Sequence, residues 1–407
     1  MSGMTEPSAK ALLPAGLSDV LPPEAEHEEA TVQCLMAVFG SYGYQRVKPP
    51  LMEFEDNLLS GSGAALARQT FRLMDPVSQR MMGMRPDMTM QVARVATTRL
   101  AQAPRPLRLS YAGQVLRVTG SQLRPERQFG QVGAELVGST SPLADVEVIL
   151  MALAALRAAG IVQMTVDLAL PTLVPALTNT LGIGAIQLSQ LRAALDRKDA
   201  SAVADMTTSL GSRGTLFEGL LAATGPAEPA LQALIALDLP PAAAAERNAL
   251  VQVANGMLAS EPNLILTIDP VEHRGWEYHT GVAFTLFAPG VRGELGSGGR
   301  YQAIAPGANS SDTTQTGDDM EGEAATGLTL FMDTVMRALP AAKEPGRLFL
   351  PFGTTVKEAQ RSRADGWIVI SAIDSDGDAE AEAQRLECSH ILENGGIVPV
   401  THIDEEG

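Results

Sequence analysis

Apolar and polar positions alternate along this chain with two different periods, and the switches between them outline its elements. Residues 129–137, FGQVGAELV, alternate strictly. Gln131, Gly133 and Glu135 fall on one side, and Val132, Ala134 and Leu136 on the other. That is the period of a strand with one polar face. RLSYAGQVLR reads as its antiparallel partner, reached around a basic loop with Arg124, Pro125 and Arg127. IVQMTVDLAL (161–170), LILTI (264–268) and YHTGVAFTLF (278–287) repeat the strand pattern, and residues 71–84 read as a strand pair. YQRVKPPLMEFED is a strand broken at Pro49 and Pro50, because proline has no N–H to give to a ladder.

Elsewhere the spacing is helical. Behind Pro22 and Pro23, an acidic first turn (Glu24, Glu26, Glu28) leads into Val32, Leu35, Met36 and Phe39, with Gly40 or Gly43 as a stop. Residues 85–101 open a helix whose first turn holds Asp87 and Thr89. Residues 143–160 carry Val146, Ile149, Leu150, Leu153 and Leu156 and end at Gly160. Residues 171–260 are rich in Ala and Leu at helical spacing, with no strand pattern, which predicts an inserted helical subdomain. From about Gly346, strands RLFLPF, WIVISAI and IVPV alternate with the helical stretches VKEAQRSRA and DAEAEAQRLECSHILENG, as in a small α/β unit. The sum is an α+β chain with a mixed, mainly antiparallel sheet and flanking helices. Residues 1–170 and 261–340 are expected to form the core, 171–260 the insertion and 341–407 a C-terminal domain. Residues 306–323, PGANSSDTTQTGDDMEGE, are polar, acidic and Gly-rich and predict a mobile loop.

Composition narrows the function classes. A length of 407 residues suits two or three domains. With aromatics at 4%, the core must lean on Ala, Leu, Val and the 17 Met. A net charge of −17 argues against a broad nucleic-acid surface. Cys34 and Cys388 are too few for a disulfide framework or a cysteine zinc site, and fit a reducing compartment. The N-terminus lacks an apolar segment of signal length, and VILMALAAL is about half a membrane span. A cytoplasmic location is expected.

Four segments place polar groups where the pattern predicts burial: Asp87 with Thr89, Arg117 at a strand end, the Gln131/Glu135 face, and EHRGWEYHTGVAFTLF (272–287) with GELGSGGRY behind it. In the last, alternation puts Glu277, His279, Gly281 and Ala283 on one face and Trp276, Tyr278, Thr280, Val282 and Phe284 on the other. Gly133 leaves room beside Gln131 and Glu135. Carboxylates at 87 and 135 suit an amine or a ring N–H, while Arg117 and Arg274 suit a carboxylate. Together they describe a pocket for a zwitterionic amino acid. Plainer roles stand beside this one. Asp87 also suits a helix cap, Glu135 an ion pair with Arg117 or Arg127, and His279 a structural hydrogen bond. His27, His390 and His402 receive no role. GSGGR and GSGAA suit plain turns and match no phosphate loop or dinucleotide fingerprint, and no metal-ligand spacing or G-x-S-x-G nucleophile elbow occurs.

AGLSDVLPPEA, YGYQRVKPPLMEFED, RPDMTMQVAR, QVLR with RQFGQVGAELVG, RGWEYHTGVAF and GSGGRY occur in the order seen in histidyl-tRNA synthetases, which the chain resembles over roughly residues 12–335. The resemblance implies a class II aminoacyl-tRNA synthetase-like fold. It implies that Asp87, Thr89 and Gln131 approach a histidine α-amino group, that Glu135 faces the imidazole and that Arg274 lies near the carboxylate. Tyr278 and His279 complete the histidine-binding set, His279 standing where the synthetases have an imidazole-facing tyrosine. Arg117 matches the arginine that engages the ATP α-phosphate and the reacting carboxylate.

The departures matter as much. Thr119 replaces a glutamate used with adenine, and Thr329 and Leu330 replace a Glu-Arg pair near the nucleotide. Each lost contact to a transition state costs about 2.7–4 kcal/mol. The charges at 87, 135 and 274, buried without ligand or partner, would cost several kcal/mol. Binding therefore looks retained and activation abandoned. RPDMT (85–89) and the short C-terminal domain are similar to the synthetase-like regulatory subunits of ATP phosphoribosyltransferases. That resemblance implies no catalytic residues, no cofactor and no metal. It implies a homodimer assembled with a short-form catalytic subunit into a hetero-octamer, which activates the first step of histidine biosynthesis and takes part in feedback by histidine. No nucleic acid or membrane is expected as a partner. A divergent histidyl-tRNA synthetase and a free-standing histidine sensor are the alternatives.

Overall fold

The computed structural model describes residues 12–59, 66–121, 124–273, 278–305, 322–341, 346–375 and 377–401. Arg274 and residues 306–321 of the acidic loop lie outside them. The chain divides into two units, Met1–Pro340 and Ala341–Gly407.

In the first unit, α1 (Glu24–Ser41) follows the Pro22–Pro23 pair and buries Leu35, Met36 and Phe39. Strands β1 (Gln45–Arg46) and β2 (Met52–Phe54) flank Pro49 and Pro50. Then come α2 (Glu55–Leu58), β3 (Arg72–Met74), β4 (Met81–Met84) and α3 (Thr89–Thr97). A long hairpin, β5 (Leu107–Leu116) and β6 (Gln128–Val137), precedes α4 (Pro142–Ala159) and β7 (Thr165–Ala169). Helix α4 starts where the Ser141 hydroxyl accepts from the Leu143 amide, with Pro142 in its first turn, and stops at Gly160 in a left-handed conformation.

The next segment holds α5 (Leu173–Leu181), α6 (Ala185–Asp196), α7 (Ala200–Thr207), α8 (Thr215–Ala222), β8 (Gly225–Pro226), α9 (Ala227–Ala236) and α10 (Pro241–Ser260). Strand β8 departs from the all-helical expectation. Gly225 and Pro226 pair with Ile268 and Thr267 at the edge of the main sheet, where a proline's missing N–H is tolerated. The unit closes with β9 (Ile265–Asp269), β10 (His279–Phe287), β11 (Gly296–Ala303), β12 (Glu323–Phe331) and α11 (Met332–Ala338).

Nine of these strands form one sheet, in the order β1-β5-β6-β12-β11-β10-β7-β9-β8. Its centre, β5 through β10, is antiparallel throughout. The alternation read from β6 sets the two layers. Val132, Ala134 and Leu136 join the main core with residues of α1, α4 and α10. The opposite face packs Leu109, Tyr111 and Phe129 against Met88, Val92 and Ala96 around α3. The β2-β4-β3 sheet is separate.

In the second unit, β13 (Arg347–Leu350), α12 (Val356–Ala364), β14 (Ile368–Ser371), α13 (Ala379–Arg385), β15 (His390–Glu393) and β16 (Gly396–Pro399) build a four-stranded sheet, β14-β13-β15-β16. Leu348 and Leu350 cluster with Ala359 of α12, and Phe349 and Ile391 with Ala383 of α13. Each face of β13 is thus covered by one helix, as period two requires.

One polar tie crosses the first unit's interior. Arg300 of β11 donates to Asp145 of α4 and to the carbonyls of Ser139 (2.7 Å) and Ser141 (2.9 Å). The Asp145 side chain is 3% exposed. Removing one member of such a pair strands the other's charge out of water. Asp145→Ala is expected to destabilise the protein by about 3–5 kcal/mol, read from the midpoint of urea unfolding.

Candidate functional site

A cavity of ≈560 Å3 lies beside the N-terminus of α3, against the β6, β12, β11 and β10 strands. Among the residues singled out from the sequence, Asp87, Thr89, Arg117, Glu135, Tyr278 and His279 line it. Gln131 does not; it is fully buried behind Asp87. Arg274 lies outside the described residues.

Asp87 fills two roles at once. One oxygen accepts from the Thr89 amide at 2.8 Å, and the other from Gln131 Nε2 at 2.8 Å. Gln131 Oε1 in turn accepts from the Met88 amide at 3.1 Å. Two amides at the start of α3, groups with no partner inside a helix, are thus satisfied by a side chain before it and a side chain from β6. Asp87 thus accepts from an amide at the start of α3, as the cap reading asks, and it also borders the cavity.

Glu135 stands at the floor, 1% exposed. The Tyr111 hydroxyl donates to its Oε1 at 3.1 Å and lies 3.0 Å from Thr329 Oγ1 and 3.1 Å from Thr89 Oγ1. Neither Arg117 nor Arg127 pairs with Glu135. Arg127 instead donates to the carbonyls of Arg117 (3.2 Å) and Ala15 (3.1 Å). The glycines beside Glu135 correct the sequence reading. A Cβ on Gly133 would sit 2.3 Å from Tyr111 Cζ, so the cleared space belongs to the tyrosine ring and not to a ligand. A Cβ on Gly327, opposite Glu135 in the ladder, would sit 1.8 Å from Glu135 Oε2.

Burial pushes the Glu135 carboxyl up to about 8, against the hydroxyls of Tyr301 and Tyr111, which favour the anion; the charge of Asp87 pushes the same way as burial. Burial also lowers His279, to about 3. Near neutral pH the floor therefore holds a protonated Glu135 and an uncharged His279.

Tyr278 and His279, expected on opposite faces, line the same cavity, with ring centroids 4.2 Å apart. Tyr278 precedes the first residue of β10, and the β10–β11 register shifts between His279 and Ala283. Such an irregularity breaks the alternation and re-aims side chains.

The other end of the cavity is cationic. Arg117, just past β5, donates to the Pro86 carbonyl at 3.3 Å, sits 5.0 Å above the Phe129 ring, and has no ion pair among the described residues. Burial lowers its pKa. Arg124, read from the sequence only as part of a basic loop, is buried here. It pairs with Asp333 at 3.0 Å and Glu294 at 3.3 Å and lies 3.8 Å above the Phe331 ring. The replaced positions fall elsewhere: Thr119 is exposed and does not line the cavity. Leu330 lies in the main core across from Val132, on the far face of the sheet, and only Thr329 faces the cavity. Tyr301, Glu272 and Glu294 also line the cavity, and Tyr111 is hydrogen-bonded to Glu135 without lining it. Sequence reading missed them, since nothing local marks a tyrosine or glutamate whose partners are distant in the chain.

Residues 16–335 match the family described as Histidyl-tRNA synthetase. An ATP phosphoribosyltransferase regulatory subunit of Paramagnetospirillum magneticum is 54% identical over 397 residues, covering 98% of this chain and all (100%) of its own. One of Rhodospirillum centenum is 53% identical over 387 residues, covering 95% and 96%. Among solved structures, an ATP phosphoribosyltransferase regulatory subunit/histidyl-tRNA synthetase from Bacillus halodurans superposes with a TM-score of 0.76 at 23% identity, over 92% of this chain and 96% of its own. The histidyl-tRNA synthetase of Nostoc sp. PCC 7120 gives 0.73 at 18% identity, over 94% and 91%. These two likenesses are of fold, and the fold is that of class II histidyl-tRNA synthetases.

Two outcomes follow from the floor. The raised Glu135 favours the folded state fully below its ordinary value of 4.5, a contribution lost as pH rises through about 8. The lowered His279 works the other way, adding stability as pH rises from about 3 to its ordinary 6.5. The two oppose each other until pH 6.5, and above it Glu135 acts alone. Stability is expected to fall by about 2 kcal/mol between pH 6.5 and 8, and that fall should be absent from Glu135→Gln, as read by urea unfolding at the two pH values. Gly133→Ala is expected to displace Tyr111 and destabilise by about 1–3 kcal/mol, measured in the same way.

Proposed function

Since the chain belongs to the ATP phosphoribosyltransferase regulatory subunits, a family built on the histidyl-tRNA synthetase fold, we propose that it is the non-catalytic, histidine-binding partner of a short-form catalytic subunit. Acting together in the cytoplasm, the two carry out the first step of L-histidine biosynthesis, and this chain passes the feedback signal of histidine to its partner. One observation carries the reading. The cavity has the acidic side chains Asp87 and Glu135 at one end, while of the arginines at the other, Arg124 is already neutralised by Asp333 and Glu294.

That asymmetry matters physically. An arginine already holding two carboxylates has little left for a phosphate, and displacing them would leave a nearly buried Asp333 side chain without its partner. The acidic end has the opposite character. Asp87 and the Thr89 hydroxyl suit an α-amino group, and Gln131 fixes Asp87 from behind. Glu135, protonated when the cavity is empty, offers a proton to a neutral imidazole nitrogen and then pairs with the imidazolium. Tyr278 and His279 flank the ring, and Arg117, with Arg274, takes the carboxylate. The assembly we propose is a homodimer of this chain within a hetero-octamer.

Mixing the purified chain with a short-form catalytic subunit should produce a stable complex and phosphoribosyl transfer that neither protein shows alone. No association and no activation would sink the reading. Histidine-dependent exchange between ATP and pyrophosphate at synthetase-like rates would replace it with an activating enzyme. Calorimetric titration with L-histidine should give saturable binding that Asp87→Asn and Glu135→Gln each weaken by about 10- to 100-fold, the range of a hydrogen bond to a charged group.

A further inference from the structure

The stretch Asp269–His273 supplies Glu272 to a cavity that Tyr278 and His279 also line. Its root is gripped by a part of the chain that contributes nothing to the cavity itself, the corner between α6 and α7. Lys198 Nζ donates to Asp269 Oδ1 at 2.7 Å and to Oδ2. Asp269 Oδ1 also accepts from the Val271 amide at 3.2 Å, so one carboxylate shapes the loop's first turn and holds the lysine. Four residues on, His273 Nδ1 lies 3.0 Å from Asp196 Oδ1, at the last residue of α6. The backbone is committed as well. Lys198 adopts φ 56°, a left-handed conformation that suits glycine better than lysine. The strand of the same helical segment, β8, pairs with β9 just before the loop, at Thr267 and Ile268.

We propose that Asp196 and Lys198 are positioning residues for the amino-acid cavity, tethering the loop segment 269–273, which carries Glu272, to the helical segment. Binding in the cavity and the order of the α6–α7 corner are then linked, and linkage is reciprocal. A ligand that fixes the loop tightens the corner, and a surface that fixes the corner raises the cavity's affinity. The segment 173–260 thereby becomes a route by which cavity occupancy reaches a distant surface. This rests on the proposal that the cavity binds histidine. The two ion pairs are partly solvated, with side chains between 9% and 39% exposed, and partly solvated pairs have modest individual effects. The expected consequence is a several-fold change in affinity and no loss of fold.

The test is calorimetry with L-histidine on the full chain, together with hydrogen exchange of the amides at 196–203 with and without it. In the parent, histidine should slow exchange at the corner. Lys198→Gly, which suits the left-handed backbone, and Asp196→Ala should each bind histidine about 3- to 10-fold more weakly and lose the protection response. Their melting temperatures should stay close to the parent's, and Lys198→Arg should restore both readouts. Equal affinity in parent and variants, or a corner that does not respond to histidine, overturns the tether and leaves the cavity assignment standing. A parent that binds no histidine overturns the cavity assignment, and the tether with it.

Discussion

One carboxylate, Glu135, has been taken out of water at the centre of an antiparallel sheet, and much of the surrounding structure answers to it. An ionised carboxylate buried alone is costly enough that the group protonates instead, and burial here raises Glu135 to about 8. The Tyr111 hydroxyl supplies its hydrogen bond, and Thr89 and Thr329 share that same hydroxyl. Gly133 gives the tyrosine ring its space, and Gly327 gives space to the carboxylate. Strand β5, strand β6, strand β12 and helix α3 are therefore bound to one polar cluster of few atoms. None of these groups can be replaced without disturbing the others, because a buried polar cluster is sound only when its members are satisfied together.

In the function proposed above, the same cluster serves recognition of an amino acid without its activation. Recognition of a small zwitterion needs fixed donors and acceptors at contact distance, and the α3 end supplies them on rigid elements. Activation with ATP would also need cationic groups free to meet a phosphate. Arg124 is instead paired with Asp333 and Glu294 and packed on Phe331. The sequence reading placed the loss of nucleotide chemistry at Thr119 and Leu330. The structure puts the first in solvent and the second in the core on the far face. Of the two arginines at the cationic end, Arg124 is committed to partners that are present, and Arg117 has no ion pair among the described residues.

Much of the fold was legible because it follows from local periodicity. Gln131, Gly133 and Glu135 alternate with Val132, Ala134 and Leu136, and that fixes which face of β6 meets the main core. The acidic start of α1, the Ser141-Pro142 start of α4 and the glycine that ends it are likewise readable, since helix termini are satisfied by nearby residues. Alternation failed at Tyr278 and His279, where a shifted register puts two neighbours into one cavity. It failed again at β8, whose strand character exists only because β9 lies beside it. The two units were also unequal in what they revealed. The C-terminal one repeats strand and helix with caps of its own, such as the Thr355–Glu358 box, yet β15 falls within a stretch read as helical, because its strand character depends on β13 and β16 beside it.

By itself the sequence determined many of the elements (though not the strands β8, β11, β12 and β15), the layer to which each face of β6 belongs, and the kinds of charge gathered near residues 87, 117 and 135. It did so because propensity, capping and periodicity are interactions within a few residues of the chain. The tertiary structure alone decided who partners whom. Glu135 meets Tyr111 and not an arginine, Gln131 stands behind Asp87, and Arg124 is held by acids from the other end of the unit. It decided the protonation state of the floor as well, because desolvation depends on everything packed around a carboxyl and has no signature in its neighbours along the chain.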